Sequence, residues 1–101
     1  MSYSVRIGRA AAAEIGEAYG WYEAERPGLG EKFRAALQLH LTELEQYPMA
    51  HMAMYRGVRR LLAKPFPYHI YFRIRGDVVK VLAVIHSSRH PNVGRSRTRQ
   101  H

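Results

Sequence analysis

The chain has 101 residues, 47% of them hydrophobic and 24% charged, with a formal net charge of +8 at pH 7. This length and composition suit a single domain with one hydrophobic core and exclude a chain that is disordered throughout. The absence of cysteine excludes disulfides, thiolate zinc sites and cysteine nucleophiles. Because the sequence shows no secretory leader and no apolar run of membrane-spanning length, we expect a cytoplasmic protein.

The first half of the chain is predicted to form one strand and two helices. Residues 3–7 alternate apolar and polar side chains, which indicates a short strand. Alanines and apolar residues at helical spacing then predict a helix over residues 10–25. A breaker at Arg26-Pro27-Gly28 separates it from a second helix over residues 29–46, so the two helices should form an antiparallel hairpin.

From residue 56 onward the period of the pattern is two, which predicts three further strands. The first of them covers residues 56–63. In the second, alternate side chains point to opposite faces of the sheet, with His69, Tyr71, Arg73 and Arg75 on one face and Tyr68, Ile70, Phe72 and Ile74 on the other. Gly76-Asp77 predicts a tight hairpin turn, and the aliphatic run over residues 78–85 is typical of a central strand.

These elements predict an α+β fold in the order β-α-α-β-β-β. The helical hairpin is expected to pack on one face of a mainly antiparallel sheet. We assign residues 1–91 to the domain and residues 92–101 to a basic C-terminal tail that is expected to be flexible. The connector that carries Met49, Met52 and Met54 is expected to pack on the core.

Basic residues are concentrated in the second half of the chain. Residues 1–45 contain five basic and seven acidic side chains, whereas residues 46–101 contain eleven basic ones and a single acidic one, Asp77. Such an asymmetric field attracts a polyanion or an acidic protein. If the last three strands are neighbours, several cationic and aromatic side chains can gather on or beside the open face of the sheet: Arg59 or Arg60, Tyr71, Arg73, Arg75, His86 and Arg89.

This cluster is the predicted surface for a target protein or nucleic acid. Guanidinium groups can bond two phosphate oxygens at once, and Tyr71 with His69 could stack against bases. The alternative is that these side chains are the solvated outward residues of a half-exposed sheet.

The same residues include the candidates for a nuclease site. Metal-independent RNA cleavage needs a base, an acid and cations that stabilise the phosphorane, and the candidates for these roles are His86, Arg59, Arg60 and Arg89. A convincing second titrating group is missing, because Asp77 is expected in the hairpin turn. A purely structural His86 is the alternative. Without thiolates or clustered carboxylates, we expect neither a metal site nor a cofactor.

Several short motifs follow one another in a recognisable order. They are Trp21-Tyr22, Arg26-Pro27-Gly28-Leu29-Gly30, Phe33, Leu37, Pro48, Gly57-Val58-Arg59-Arg60, Phe66-Pro67-Tyr68, Tyr71, Gly76-Asp77, and His86 followed by Arg89. Behind a helical hairpin, this ordered set resembles the RelE/ParE superfamily of type II toxin–antitoxin toxins. It is most similar to the ParE-like (plasmid stabilisation) branch, and the likeness extends from Tyr3 to about Pro91.

The resemblance implies the fold described above and a small toxin that a cognate antitoxin neutralises in a toxin–antitoxin hetero-oligomer. ParE-like toxins poison DNA gyrase, whereas RelE-like toxins cut messenger RNA in the ribosome. Carried over by motif, Arg59 or Arg60 and Arg89 fall at basic positions of the family, and His86 falls at its final-strand histidine. RelE-like enzymes often use a tyrosine near the C-terminus, but here no tyrosine follows Tyr71.

We therefore expect a non-catalytic toxin that inhibits DNA gyrase or another replication target and has no membrane partner. Two alternatives stay open. One is a RelE-like, ribosome-dependent messenger RNA endonuclease, and the other is a non-toxic basic module that binds nucleic acid.

Overall fold

The computed structural model describes residues 2–89 and confirms the predicted element order. The elements are β1 Ser4–Ile7, α1 Arg9–Glu25, α2 Leu29–Leu44, a short 3-10 helix Pro48–Ala50, β2 Val58–Leu62, β3 Tyr68–Arg75 and β4 Val78–His86. The predicted tail, residues 92–101, lies outside the described residues. Neither helix between residues 2 and 89 has the length and hydrophobicity to cross a membrane.

Strand β2 is shorter than the predicted strand over residues 56–63. Arg56 and Gly57 have positive φ angles of 51° and 76°, which belong to a turn and not to an extended strand. Strand β2 therefore begins only at Val58.

The four strands form one sheet in the order β1-β4-β3-β2. Strand β1 runs parallel to β4, while β4 with β3 and β3 with β2 are antiparallel. Strand β4 therefore has a neighbour on each side, as predicted for the aliphatic run.

Both helices pack on one face of this sheet, which we call the helix-side face. Helix α2 contributes Phe33, whose ring centroid lies 5.3 Å from those of Phe66 and Tyr68 and 5.4 Å from that of Tyr22 on α1. The buried residues of this core are Ala11, Ala18, Tyr22, Phe33, Leu37, Leu41, Leu44, Leu61, Ala63, Ile70, Phe72, Val79, Val81 and Val84.

The two helices approach each other closely at Gly30. A Cβ atom there would lie 2.8 Å from the main-chain oxygen of Tyr19, and the Gly30 N–H donates a 2.8 Å hydrogen bond to Glu23 Oε1. Glycine is thus required at this position for the packing of the hairpin.

A β-bulge in β4 changes which of its side chains face the helices. Phe72 pairs with Val81 but Tyr71 pairs with Ala83, so Leu82 is an extra residue on the β4 side. Before the bulge, Val79 and Val81 point to the helix-side face. After the bulge, Val84 and His86 point to this face, because they pair with residues of β3, a strand whose side chains alternate without interruption.

The connector packs on the core, as predicted, through Pro48, which is fully buried, and through His51, whose ring centroid lies 6.0 Å from that of Phe72. Met49, Met52 and Met54 are 61%, 78% and 40% exposed. The methionine side chains of the connector therefore face solvent and take no part in this packing.

Candidate functional site

The face of the sheet opposite the helices, which we call the second face, carries most of the cationic side chains of the strands. The strand register and the alternation of side chains place five basic residues there: Arg6 on β1, Arg60 on β2, Arg73 and Arg75 on β3, and Lys80 on β4. The two arginines expected on this face of β3 are therefore confirmed in position, and Arg60 joins them.

Three of these cations lie side by side across the sheet. Lys80 on β4 is paired in register with Arg6 on β1 and with Arg73 on β3. We call these three residues the cationic row. Neighbouring strands are about 4.8 Å apart, so the row concentrates three positive charges within about 10 Å at the Cα positions.

Within residues 2–89, no member of the cationic row lies within 4.0 Å of a carboxylate. The ion pairs in this part of the chain are Arg34 with Glu31, and His40 and His51 with Glu43. Arg73 also makes no side-chain hydrogen bond in this part of the chain, and its Nε is buried without a partner. The row is therefore electrostatically uncompensated by the described part of the protein, and like charges that face each other across strands lower stability.

The centre of the second face is apolar and buried. Val58, Tyr71, Ala83 and Ile85 form a small cluster there. Tyr71 is only 4% exposed, so its ring is not available to stack on a base, contrary to the expectation from the sequence. Its burial follows from packing with these neighbours. Sequence patterns assign a side chain to a face, but not the contacts it makes there.

His69 lies beside this cluster, with its ring centroid 6.1 Å from that of Tyr71. Burial lowers the pKa of His69, and the positive charge of Arg60 lowers it further. A neutral imidazole is therefore favoured at this position of the second face.

His86 and Arg89 line a different site, which we call the His86 pocket, at the end of β4 on the helix side. This cavity has a volume of about 180 Å³ and is lined by Glu14, Glu17, Ala18, Trp21, Tyr68, Val84, Ile85, His86 and Arg89. Strand β1 pairs with β4 only as far as Val81, and beyond that point the Val84 N–H donates a 2.9 Å hydrogen bond to Glu14 Oε1.

The imidazole of His86 is held by the turn that follows β4. Its Nδ1 accepts a 3.1 Å hydrogen bond from the Ser88 N–H and lies 2.8 Å from Ser88 Oγ. This geometry leaves the proton of a neutral ring on Nε2. The ring of Tyr68 lies edge-on at 5.3 Å between centroids, and burial raises the pKa of Tyr68 while Arg89 opposes that change.

Arg59 takes part in neither site. It pairs in register with Phe72, which places it on the helix-side face, and its Nη1 donates a 2.6 Å hydrogen bond to the main-chain oxygen of His51. This guanidinium ties the connector before β2 to the sheet and is half-buried.

The structure therefore divides the seven predicted site residues among three places. Arg60, Tyr71, Arg73 and Arg75 share the second face, His86 and Arg89 share the His86 pocket, and Arg59 anchors the connector. The expectation that all of them gather on or beside one face is wrong. The residues are separated for two physical reasons. The bulge at Leu82 turns His86 to the helix-side face, and the alternation of side chains along β2 places Arg59 and Arg60 on opposite faces.

The sequence reasoning missed two members of the cationic row, Arg6 and Lys80. Both sit at outward positions of predicted strands, but only the parallel pairing of β1 with β4 brings them together. Within residues 2–89, no group of three histidine or acidic side chains is arranged so that it could hold a metal ion.

Comparison with known proteins identifies the family. A family model described as ParE toxin of type II toxin–antitoxin system, parDE, matches residues 5–91. The chain is also 22% identical over 93 residues to Toxin ParE2 from two strains of Mycobacterium tuberculosis, a match that covers 91% of this chain and 89% of that protein.

Solved structures share the fold. A chain of the chromosomal ParDE TA system from P. aeruginosa superposes with a TM-score of 0.74 at 23% identity, covering 83% of this chain and 95% of that chain. A mutant of the E. coli toxin RelE in the free state gives a TM-score of 0.71 at 16% identity, covering 99% of this chain and 97% of that chain. Because the family model spans nearly the whole domain, the chain belongs to the ParE toxin family of type II toxin–antitoxin systems.

Proposed function

We propose that this toxin arrests growth in the cytoplasm by binding its target, DNA gyrase, without cutting RNA, and that a cognate antitoxin neutralises it. The observation that carries the non-catalytic mode is the separation of His86 from the cations of the second face. The family supports the antitoxin partner.

This separation matters because RNA cleavage is a reaction at one phosphate. The base, the acid and the stabilising cations must all reach the same phosphate within hydrogen-bonding distance. His86 points to the helix side of the sheet, whereas Arg60 and Arg73 point to the other side. A phosphate bound on the second face is thus out of reach of His86, while a surface that only binds needs no such convergence.

One observation favours the RelE-like nuclease as a second candidate. The His86 pocket gathers His86, Arg89, Tyr68 and the carboxylate of Glu17 in one cavity, and these are groups that can move protons and stabilise a phosphate. A nuclease of this kind would depend on His86 and Arg89, whereas the binding mode does not.

An acidic antitoxin segment would be attracted by the positive charge of the second half of the chain. Strands β1 and β2 are the two edge strands of the sheet, and the connector already bridges the start of β2 through Ala53 and Arg59. The main-chain groups of edge strands can pair with an added strand. Co-expression with the neighbouring reading frame should yield a stable complex, and the absence of one would refute the antitoxin part of the proposal.

The target is tested by inducing the toxin and following DNA and messenger RNA over the first minutes. We expect cleaved gyrase–DNA complexes and a DNA-damage response while transcripts stay intact, and we expect purified toxin to inhibit supercoiling by gyrase. The double variant H86A/R89A should still arrest growth. Prompt transcript cleavage that this variant loses would refute the proposal in favour of the nuclease.

A further inference from the structure

The second face holds a cavity of about 470 Å³ that combines cationic and aliphatic side chains. It is lined by Arg73, Arg75, Val78, Lys80 and Leu82. Two members of the cationic row and a third cation, Arg75, thus line the same cavity as the aliphatic side chains of Val78 and Leu82 on β4. Such a site suits an anion that also carries carbon surface.

The cations at this cavity lie close together, and none of them forms an ion pair with another side chain within residues 2–89. Lys80 has Arg73 on one side and Arg6 on the other, and none of the three is paired with a carboxylate in the described part of the chain. A bound polyanion would remove this repulsion. Guanidinium groups match the oxygens of a phosphodiester in a bidentate geometry, and Arg73 carries such a group in the row.

The direction of the cationic row favours a phosphodiester backbone over an acidic peptide. The row crosses the strands, and the main-chain groups of β3 and β4 beneath it face neighbouring strands on both sides. A peptide that crosses β3 and β4 along the row gains no main-chain hydrogen bonds from these two strands, whereas a phosphodiester brings only acceptors. Because Tyr71 is buried, the contact is with the backbone and not with stacked bases.

We propose that the cationic row is a sequence-independent binding site for the sugar–phosphate backbone of duplex DNA. The inference rests on the proposed function in one respect. If gyrase is the target, a DNA-binding row means that the toxin recognises gyrase together with its bound DNA and not gyrase alone. Binding of DNA by the purified toxin needs no gyrase, so its outcome is separate from that of the supercoiling assay.

The test measures binding of the full-length toxin to a fluorescein-labelled 20-bp duplex by anisotropy at several salt concentrations. Three phosphate contacts predict a log–log salt slope of about −2.7, which lowers the affinity about 40-fold between 50 and 200 mM salt. The variant R6E/K80E changes two exposed residues of the row and leaves Arg73 as the remaining phosphate contact. Its log–log salt slope should therefore be near −0.9. The control R26E/K32E makes the same change of charge at exposed positions in and beside the helices and should keep the wild-type slope.

Four results would overturn the proposal. They are no binding of the duplex at 50 mM salt, an unchanged slope in R6E/K80E, an equal loss in the control R26E/K32E, and binding of poly-L-glutamate as tight as that of the duplex. The last result would assign the row to an acidic peptide. Circular dichroism of both variants establishes that each is folded, and a milder variant, K80Q, with an expected slope near −1.8, replaces R6E/K80E should the latter fail to fold.

Discussion

Replacing Lys80 by glutamate should stabilise the protein, because it puts a negative charge between two positive ones. Lys80 lies in register with Arg6 and with Arg73, so two like-charge neighbours become two opposite-charge neighbours. Lysine and glutamate are both uncommon in strands, so the change in strand propensity is small. Lys80 is exposed, which allows the substitution without disturbing the core.

The expected gain follows from the energies of cross-strand pairs. Each opposite-charge pair contributes about 0.2–1 kcal/mol, and each like-charge pair costs a similar amount. Solvent and salt screen these exposed charges, so the two contacts together should raise the free energy of unfolding by about 1 kcal/mol. For a domain of this size that raises Tm by about 4–8 °C.

Thermal and urea unfolding at 50 mM and 1 M NaCl measure this effect. K80Q removes the repulsion without adding attraction and should give about half the gain of K80E. At 1 M NaCl the Debye length is about 3 Å and most of the difference between the variants should vanish. A K80E protein no more stable than wild type at low salt would show that the three cations do not interact, which refutes the geometry of the row.

Three further predictions concern the fold. Gly30→Ala should lower the free energy of unfolding by about 1–3 kcal/mol, because the new Cβ atom meets the main chain of α1. Gly16→Ala should instead raise the free energy of unfolding by about 0.5–1 kcal/mol, because nothing lies within 4 Å of the new Cβ atom and alanine favours a helix more than glycine does. Arg59→Ala should cost about 1–2 kcal/mol in urea unfolding, because it removes the charged hydrogen bond to His51. The pKa of His69 is lowered in the folded state, so the contribution of His69 to stability is fully present above the unfolded-state pKa of about 6.5 and is lost as the pH drops towards the folded-state value. His69→Gln should therefore lose less stability than wild type between pH 7.5 and pH 5.

Each of these predictions has a result that contradicts it. Equal stability of the two alanine variants would mean that the helices do not approach closely at Gly30. An Arg59→Ala protein as stable as wild type would mean that the connector is held by other contacts. Parallel pH profiles of wild type and His69→Gln would show that the imidazole is not buried.

The succession of elements can be predicted from the sequence because it depends on local patterns. Helical spacing of apolar residues, the breaker at Arg26-Pro27-Gly28 and the turn at Gly76-Asp77 act over a few residues each, and the structure has α1, α2 and the β3–β4 hairpin where they indicate. Strict alternation in β3 also assigns Arg73 and Arg75 to one face correctly. The ordered motifs indicated the family for the same reason, since they are read directly from the chain.

Tertiary structure alone determined which side chains meet. The aliphatic run of β4 contains no signal for the bulge at Leu82, because Val, Leu and Ala suit either face of an inner strand, yet this one residue turns His86 away from Arg73. Likewise, nothing local in β1 states that it pairs in parallel with β4, a contact between residues more than seventy positions apart that brings Arg6 to Lys80. Strand order and register are set by the packing of the whole sheet against the helices, and the cationic row exists only as their consequence.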